Sequence, residues 1–172
     1  MHKAFLLILV FIVACSKPRY TFVSSALLYR ETSANMHPPI KRYVIVPETF
    51  NSDAENSLFP GVIQLMKENK WAAANKELSK VKSSSPSYPL CQGLYYLGKE
   101  DYASALANFN NYKEPEHQCL CKLLITDCHY ELAKPYADVK KLIQEYQQAL
   151  DCSNTEITRV VIQYRIKYLK YE

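Results

Sequence analysis

The feature that most restricts the fold is a set of aromatic and small residues that recurs at fixed spacing. The best-defined set is centred on Tyr102 and places Gly93, Tyr96, Ala105, Phe109 and Tyr112 at offsets of −9, −6, +3, +7 and +10. Matching positions 31 residues earlier and 34 residues later are Trp71, Ala74, Leu78, Val81, Tyr130, Tyr136, Val139, Ile143 and Tyr146. Steps of three, four and seven residues follow one face of a helix, and a period of this length is typical of repeat proteins.

This spacing resembles that of the tetratricopeptide repeat, a 34-residue helix-turn-helix unit. The resemblance covers about three units, roughly residues 54–152, and implies a mainly α-helical array of hairpins. Val62 and Asp127 stand where the family prefers Gly, Val139 replaces the small Ala, and Gly98 falls two positions early for the usual turn. These departures leave an irregular array of helical hairpins as the alternative. With only three glycines in the chain, an all-β fold rich in tight turns is not expected.

The N-terminus has the pattern of a secretory signal peptide. Residues 1–3 give a short positive start, residues 4–13 are an unbroken apolar run, and Ala14 precedes Cys15. The ending Ile-Val-Ala-Cys resembles the lipobox of bacterial lipoproteins, which implies removal of residues 1–14 and acylation of Cys15, with palmitate as a typical chain. Ser16, rather than Asp, then implies export to the outer membrane, facing the periplasm. The alternative is an ordinary signal peptide with a cysteine there by chance.

The remaining chain divides by composition. In residues 15–52, which would hold the lipid anchor and a tether, β-branched and aromatic residues at 19–28 and 42–47 predict short strands. Helical patterns start near residues 52–53, where Ser or Asp suits an N-cap. The three hairpins would end near residue 152. A terminal helix from about 155 to 171 would cap the array with an apolar face of Ile157, Val160, Val161, Tyr164, Tyr168 and Tyr171; a tyrosine stripe for a partner is the other interpretation of that face.

Five cysteines follow Cys15, and an oxidising compartment would allow them to pair. The two ends of the third hairpin lie side by side, so we expect Cys152 to bond to Cys119 or Cys121. The run of His117, Cys119, Cys121, Cys128 and His129 lacks the ligand spacing of structural zinc sites, and no metal or cofactor is expected. Glu114, Glu116 and Asp127 have no partner pattern and are expected to be solvated.

The composition and motifs also exclude some functions. No catalytic or nucleotide-binding motif is present in the sequence, so an enzyme is not expected. The charge of +4 is not gathered into a basic stripe, so nucleic acid is not expected as a partner.

The resemblance implies one functional surface, the groove lined by the first helix of each hairpin. The corresponding residues are Phe59, Ile63, Met66, Lys67, Leu90, Leu94, Leu97, Cys121, Leu124, Cys128 and Glu131. An apolar groove needs a cover, either a partner or the protein's own N-terminal segment or terminal helix. Two functions follow: a membrane-anchored adaptor that binds an envelope or secretion-system protein, or a carrier for a small apolar ligand or lipid.

Overall fold

The computed structural model describes residues 21–23, 43–45, 59–153 and 155–169. The predicted signal peptide, Cys15 and the N-cap at 52–53 lie outside these ranges. The described part is mainly α-helical, as the sequence predicts. Its helices are α1 (Phe59–Lys67), α2 (Trp71–Leu78), α3 (Tyr88–Gly98), α4 (Tyr102–Asn111), α5 (Gln118–Ala133), α6 (Val139–Cys152) and α7 (Glu156–Leu169), with a short 3₁₀ helix at Pro115–His117.

Each helix packs against the next one along the chain, and α1 also contacts α3. Helix α3 lies deepest, because every residue from Tyr88 to Gly98 is buried or half-buried. A helix that is apolar on all sides must be covered on all sides, and all residues of α3 except Pro89 and Gln92 are Leu, Cys, Gly or Tyr. The core therefore runs through α3 and continues into α5.

Two turns between helices have the same backbone geometry, 31 positions apart. Asn69 and Glu100 both have positive φ, 58° and 61°. At the first turn, Lys70 N–H donates to the Leu65 carbonyl at 2.8 Å, and at the second, Asp101 N–H donates to the Tyr96 carbonyl at 3.0 Å. This is the Schellman ending of a helix, which needs a left-handed residue just past the last turn. Glu100 occupies that place in the second hairpin, which explains why Gly98 falls two positions early.

Two aspartates start second helices of hairpins. The Asp101 carboxylate accepts a hydrogen bond from the Ser104 N–H at 3.1 Å, at the start of α4. The Asp138 carboxylate accepts one from the Lys141 N–H at 3.1 Å, at the start of α6. Each carboxylate satisfies an amide that the helix itself cannot, and so each limits where its helix can begin.

Two short strands precede the helices. Strands β1 (Thr21–Val23) and β2 (Tyr43–Ile45) pair in parallel, with Thr21 opposite Tyr43. They lie within the stretches 19–28 and 42–47, most of which is outside the described residues. Two strands of this length are marginal alone, and β1 contacts α1. That contact places part of the N-terminal segment beside the first hairpin.

The buried face of the terminal helix overlaps the predicted one in part. Its buried residues are Thr158, Val161, Ile162, Arg165 and Leu169. Of the expected apolar face, Val161 is fully buried, Val160, Tyr164 and Tyr168 are half-buried, and Tyr171 lies outside the described residues. The opposite stripe, Glu156, Arg159, Gln163 and Lys167, is polar and exposed. Helix α7 therefore covers the last hairpin with one side and presents a polar side to solvent.

A close approach in the second hairpin lies between Gly93 and Phe109. A Cβ atom added to Gly93 would come within 2.5 Å of Phe109 Cε1, and its three nearest atoms all belong to that ring. The sequence pattern predicts Ala105 opposite Gly93, and Ala105, one helical turn before Phe109, is fully buried. Since Phe109 is only 1% exposed, its ring has no free space into which it could move.

Gly93→Ala should therefore destabilise the protein by about 1–3 kcal/mol through overpacking. Gly61→Ala is the matched control, because a Cβ at Gly61 meets nothing within 4 Å and alanine gains about 0.5–1 kcal/mol over glycine in a helix. Urea unfolding followed by circular dichroism measures both. A loss of stability at both positions, or at neither, would contradict the close contact.

Candidate functional site

A buried ion pair joins the last three helices. Asp127 on α5 is 2% exposed and Arg165 on α7 is 6% exposed. Arg165 Nε donates to Asp127 Oδ1 and the terminal guanidinium nitrogen donates to Oδ2, both at 2.9 Å. The hydroxyl of Tyr146, on α6, donates to the same Oδ1 at 2.6 Å. This two-point geometry is the strong form of the arginine–carboxylate contact.

The expectation that Asp127 is solvated is therefore wrong. A carboxylate stands at the position where the tetratricopeptide resemblance implies a small Gly, and Arg165 interrupts the buried face of α7. An acidic residue at a position that should pack, together with an arginine on an apolar helix face, is the sequence signal from which the ion pair could have been predicted. Because all three groups lie below the surface, a substrate could not reach them, and their role is to hold α5, α6 and α7 in register.

A disulfide closes the third hairpin. Cys119, at the start of α5, is bonded to Cys152, at the end of α6, with their Cα atoms 5.7 Å apart. This confirms the predicted disulfide of Cys152 and shows that its partner is Cys119 rather than Cys121. Farther along the same two helices, His129 Nδ1 lies 2.7 Å from Glu145 Oε2. Helices α5 and α6 are thus joined at several points along their length.

The other described cysteines, Cys91, Cys121 and Cys128, are free and buried. Burial raises the pKa of the Cys121 thiol to about 12 and raises the pKa of the Cys91 and Cys128 thiols further. These thiols stay protonated at neutral pH and are poor nucleophiles. Among the residues that the structure describes, no three His, Cys, Asp or Glu side chains lie close enough together to hold a metal ion.

The residues expected in an apolar groove belong to the core. At most 4% of the surface is exposed for Phe59, Ile63, Met66, Leu90, Leu94, Leu97, Cys121, Leu124 and Cys128. Lys67 and Glu131 are half-buried, and Glu131 accepts a hydrogen bond from Lys134 at 3.0 Å. A side chain with no exposed surface borders neither an open trough nor a cavity that could admit water. Within the described part, these residues thus form no surface for a partner or a small ligand, because neighbouring elements pack on both sides of α3 and α5.

A cluster of aromatic rings remains partly accessible between the first two hairpins. Trp71, the first residue of α2, meets Tyr95 near the end of α3 edge-on, with ring centroids 6.1 Å apart. Tyr95 meets Tyr96 in the same way at 5.5 Å, and all three side chains are half-buried. Lys70 and Lys99 lie beside the cluster in sequence, and Lys70 Nζ pairs with Glu68 at 2.7 Å. We call Trp71, Tyr95 and Tyr96 the aromatic cluster.

No protein-family model, no curated protein and no solved structure matches this chain. Among the helices that the structure describes, none combines the length and hydropathy that crossing a bilayer requires.

Removal of Arg165 should show what the buried pair contributes. Arg165→Leu leaves the Asp127 carboxylate buried without its cation, which typically costs about 3–5 kcal/mol. Asp127→Leu combined with Arg165→Leu should restore much of that loss, since an apolar pair of similar volume often replaces a buried ion pair without cost. Guanidinium unfolding of the two variants and the parent measures this coupling. Equal losses in the single and the double variant would show that the pair acts only through packing volume.

Proposed function

We propose that this protein is a non-enzymatic adaptor lipoprotein of the bacterial outer membrane, facing the periplasm and anchored by acyl chains on Cys15. Its helical part is a tetratricopeptide-like array of three hairpins followed by the capping helix α7. Two observations support the repeat: the Schellman turns at Asn69 and Glu100 lie 31 residues apart, and α7 has a polar outer side. The lipobox-like sequence before Cys15 supports the anchor.

The aromatic cluster is the observation that carries the adaptor function. Trp and Tyr dominate the binding energy of protein interfaces, because each buries a large area with few rotatable bonds. Edge-on contacts hold Trp71, Tyr95 and Tyr96 in fixed orientations, so little conformational entropy would be lost on binding. The partner surface thus lies at the end of α3 and the start of α2, rather than in the groove that the family resemblance implies. The partner is an envelope protein.

A carrier function is less well supported. A pocket for a small apolar ligand needs an enclosed volume of about 300–1,000 Å³. The apolar side chains that would line such a pocket, from Phe59 in α1 to Leu124 in α5, are at most 4% exposed. An adaptor needs only a partly accessible surface, and the aromatic cluster provides one.

Membrane attachment should depend on the Cys15 thiol. One acyl chain binds a bilayer only marginally, at about 0.8 kcal/mol per buried methylene, so stable anchoring needs two or three chains. Cys15→Ala should abolish incorporation of labelled palmitate and release the protein from the membrane fraction. Cys91→Ala is the matched control, since that thiol is buried in the fold and should leave labelling unchanged. Normal labelling of the Cys15→Ala protein would refute the lipoprotein assignment.

The partner surface can be located by site-specific photocross-linking in native envelopes. A benzophenone side chain at Ala72 or Lys99, both exposed beside the aromatic cluster, should give a discrete adduct with one envelope protein. The same side chain at Gln163, on the polar side of α7, should give none. Adducts of equal yield at all three positions, or at Gln163 alone, would show that the aromatic cluster is not the contact surface.

A further inference from the structure

Exposed large apolar side chains in the described part of the chain are confined to one place. They are Leu132, Tyr136 and Val139, which are 49%, 92% and 37% exposed. Leu132 is in the last turn of α5, Tyr136 is in the connection that follows, and Val139 is the first residue of α6. Such a high exposure for Tyr136 means that the ring stands clear of the rest of the surface. We call residues 132–141 the hairpin tip.

The hairpin tip also carries positive charge. Lys134, Lys140 and Lys141 lie within it, against one acid, Asp138. Lys134 Nζ lies 4.0 Å from the centroid of the Tyr130 ring and is bonded to Glu131, while Lys141 Nζ is 3.9 Å from Glu145. The Lys141 side chain is nevertheless 71% exposed, and Lys140 is exposed as well. The tip thus combines a projecting aromatic ring, two aliphatic side chains and two well-exposed lysines, Lys140 and Lys141.

The size of this surface argues against a protein partner. A stable protein interface uses about 20–30 residues on each side, whereas the tip is a short segment of residues 132–141. A second copy of the chain would face the same deficit. The aromatic cluster differs, because exposed residues of α2 and of the adjoining turns flank it and can complete such an interface. A contact with a bilayer needs no such area when the protein is already anchored to that bilayer. The second contact is then effectively intramolecular, so a weak affinity is sufficient.

The chemistry of the tip matches a lipid surface. Tyrosine is enriched at the boundary between headgroups and acyl chains, where its ring is apolar and its hydroxyl remains wet. Lysines near the surface are attracted to anionic headgroups, and the attraction decays within a Debye length. We infer that the hairpin tip is a second membrane contact, which inserts Tyr136, Leu132 and Val139 at the interface of an anionic bilayer. This inference rests on the proposed anchoring through Cys15.

Tryptophan fluorescence can test the contact, since the chain has a single Trp, Trp71. Acylated protein with Tyr136→Trp is reconstituted into vesicles of phosphatidylethanolamine and phosphatidylglycerol that carry brominated acyl chains. Flotation of the vesicles first measures anchoring. An indole about 5–10 Å into the headgroup boundary should then lose about half of its fluorescence. The parent protein gives the Trp71 signal to subtract, and Gln163→Trp is the matched control on the exposed side of α7.

A further variant distinguishes insertion of the hairpin tip from the intrinsic affinity of a tryptophan side chain for the bilayer interface. Leu132→Ser with Val139→Ser, added to Tyr136→Trp, should reduce the quenching, because the aliphatic side chains would no longer enter the interface. These positions are exposed, so unfolding stability should stay within the range of ordinary surface changes. If the Tyr136→Trp protein floats with its new indole unquenched, or the Gln163→Trp protein is quenched equally, the tip contact alone is overturned. Protein that does not float refutes the anchor and the tip contact together.

Discussion

The arrangement of the C-terminal half depends on the buried contact between Asp127 and Arg165. A carboxylate and a guanidinium removed from water are costly unless each satisfies the other, and here the two-point geometry does so, with Tyr146 adding a third donor. The three groups come from three different helices. Any displacement of α7 from the last hairpin would leave two charges buried and unpaired, so α7 and the hairpin form one unit.

The packing of α7 on the last hairpin also determines which surfaces remain accessible for binding. Helix α7 covers the last hairpin and β1 lies against α1, while α3 has no exposed residue. The inner positions of the first helices are therefore occupied by the protein's own packing. Within the described ranges, the accessible apolar surfaces are found where hairpins turn: the aromatic cluster beside the first two turns and the hairpin tip at the third. Both lie at the junction of a first helix with its second helix.

The helical fold could be predicted because its signal is local. Tyr102, Ala105 and Phe109 reveal a helix through spacing alone, and the ends of the third hairpin must meet, which places Cys152 near Cys119. The buried pair could not be predicted in the same way. A single carboxylate gives no sign of burial until its partner, 38 residues away, is identified. The open groove was inferred by analogy, and spacing cannot show whether a face is covered by elements from elsewhere in the chain. The left-handed conformation of Glu100 was similarly hidden, because Glu has no preference for it.

The covalent link between Cys119 and Cys152 has a mechanical consequence. A force that pulls the two ends of the chain apart puts its backbone under tension. The disulfide prevents the chain between its two cysteines, which are 33 positions apart, from being extended. Fully extended, that segment would measure about 110 Å at 3.3–3.6 Å per residue. Under such a load the chain can lengthen on either side of the bonded pair but not between Cys119 and Cys152, so the first two hairpins and α7 would extend while the two ends of the third hairpin stay joined.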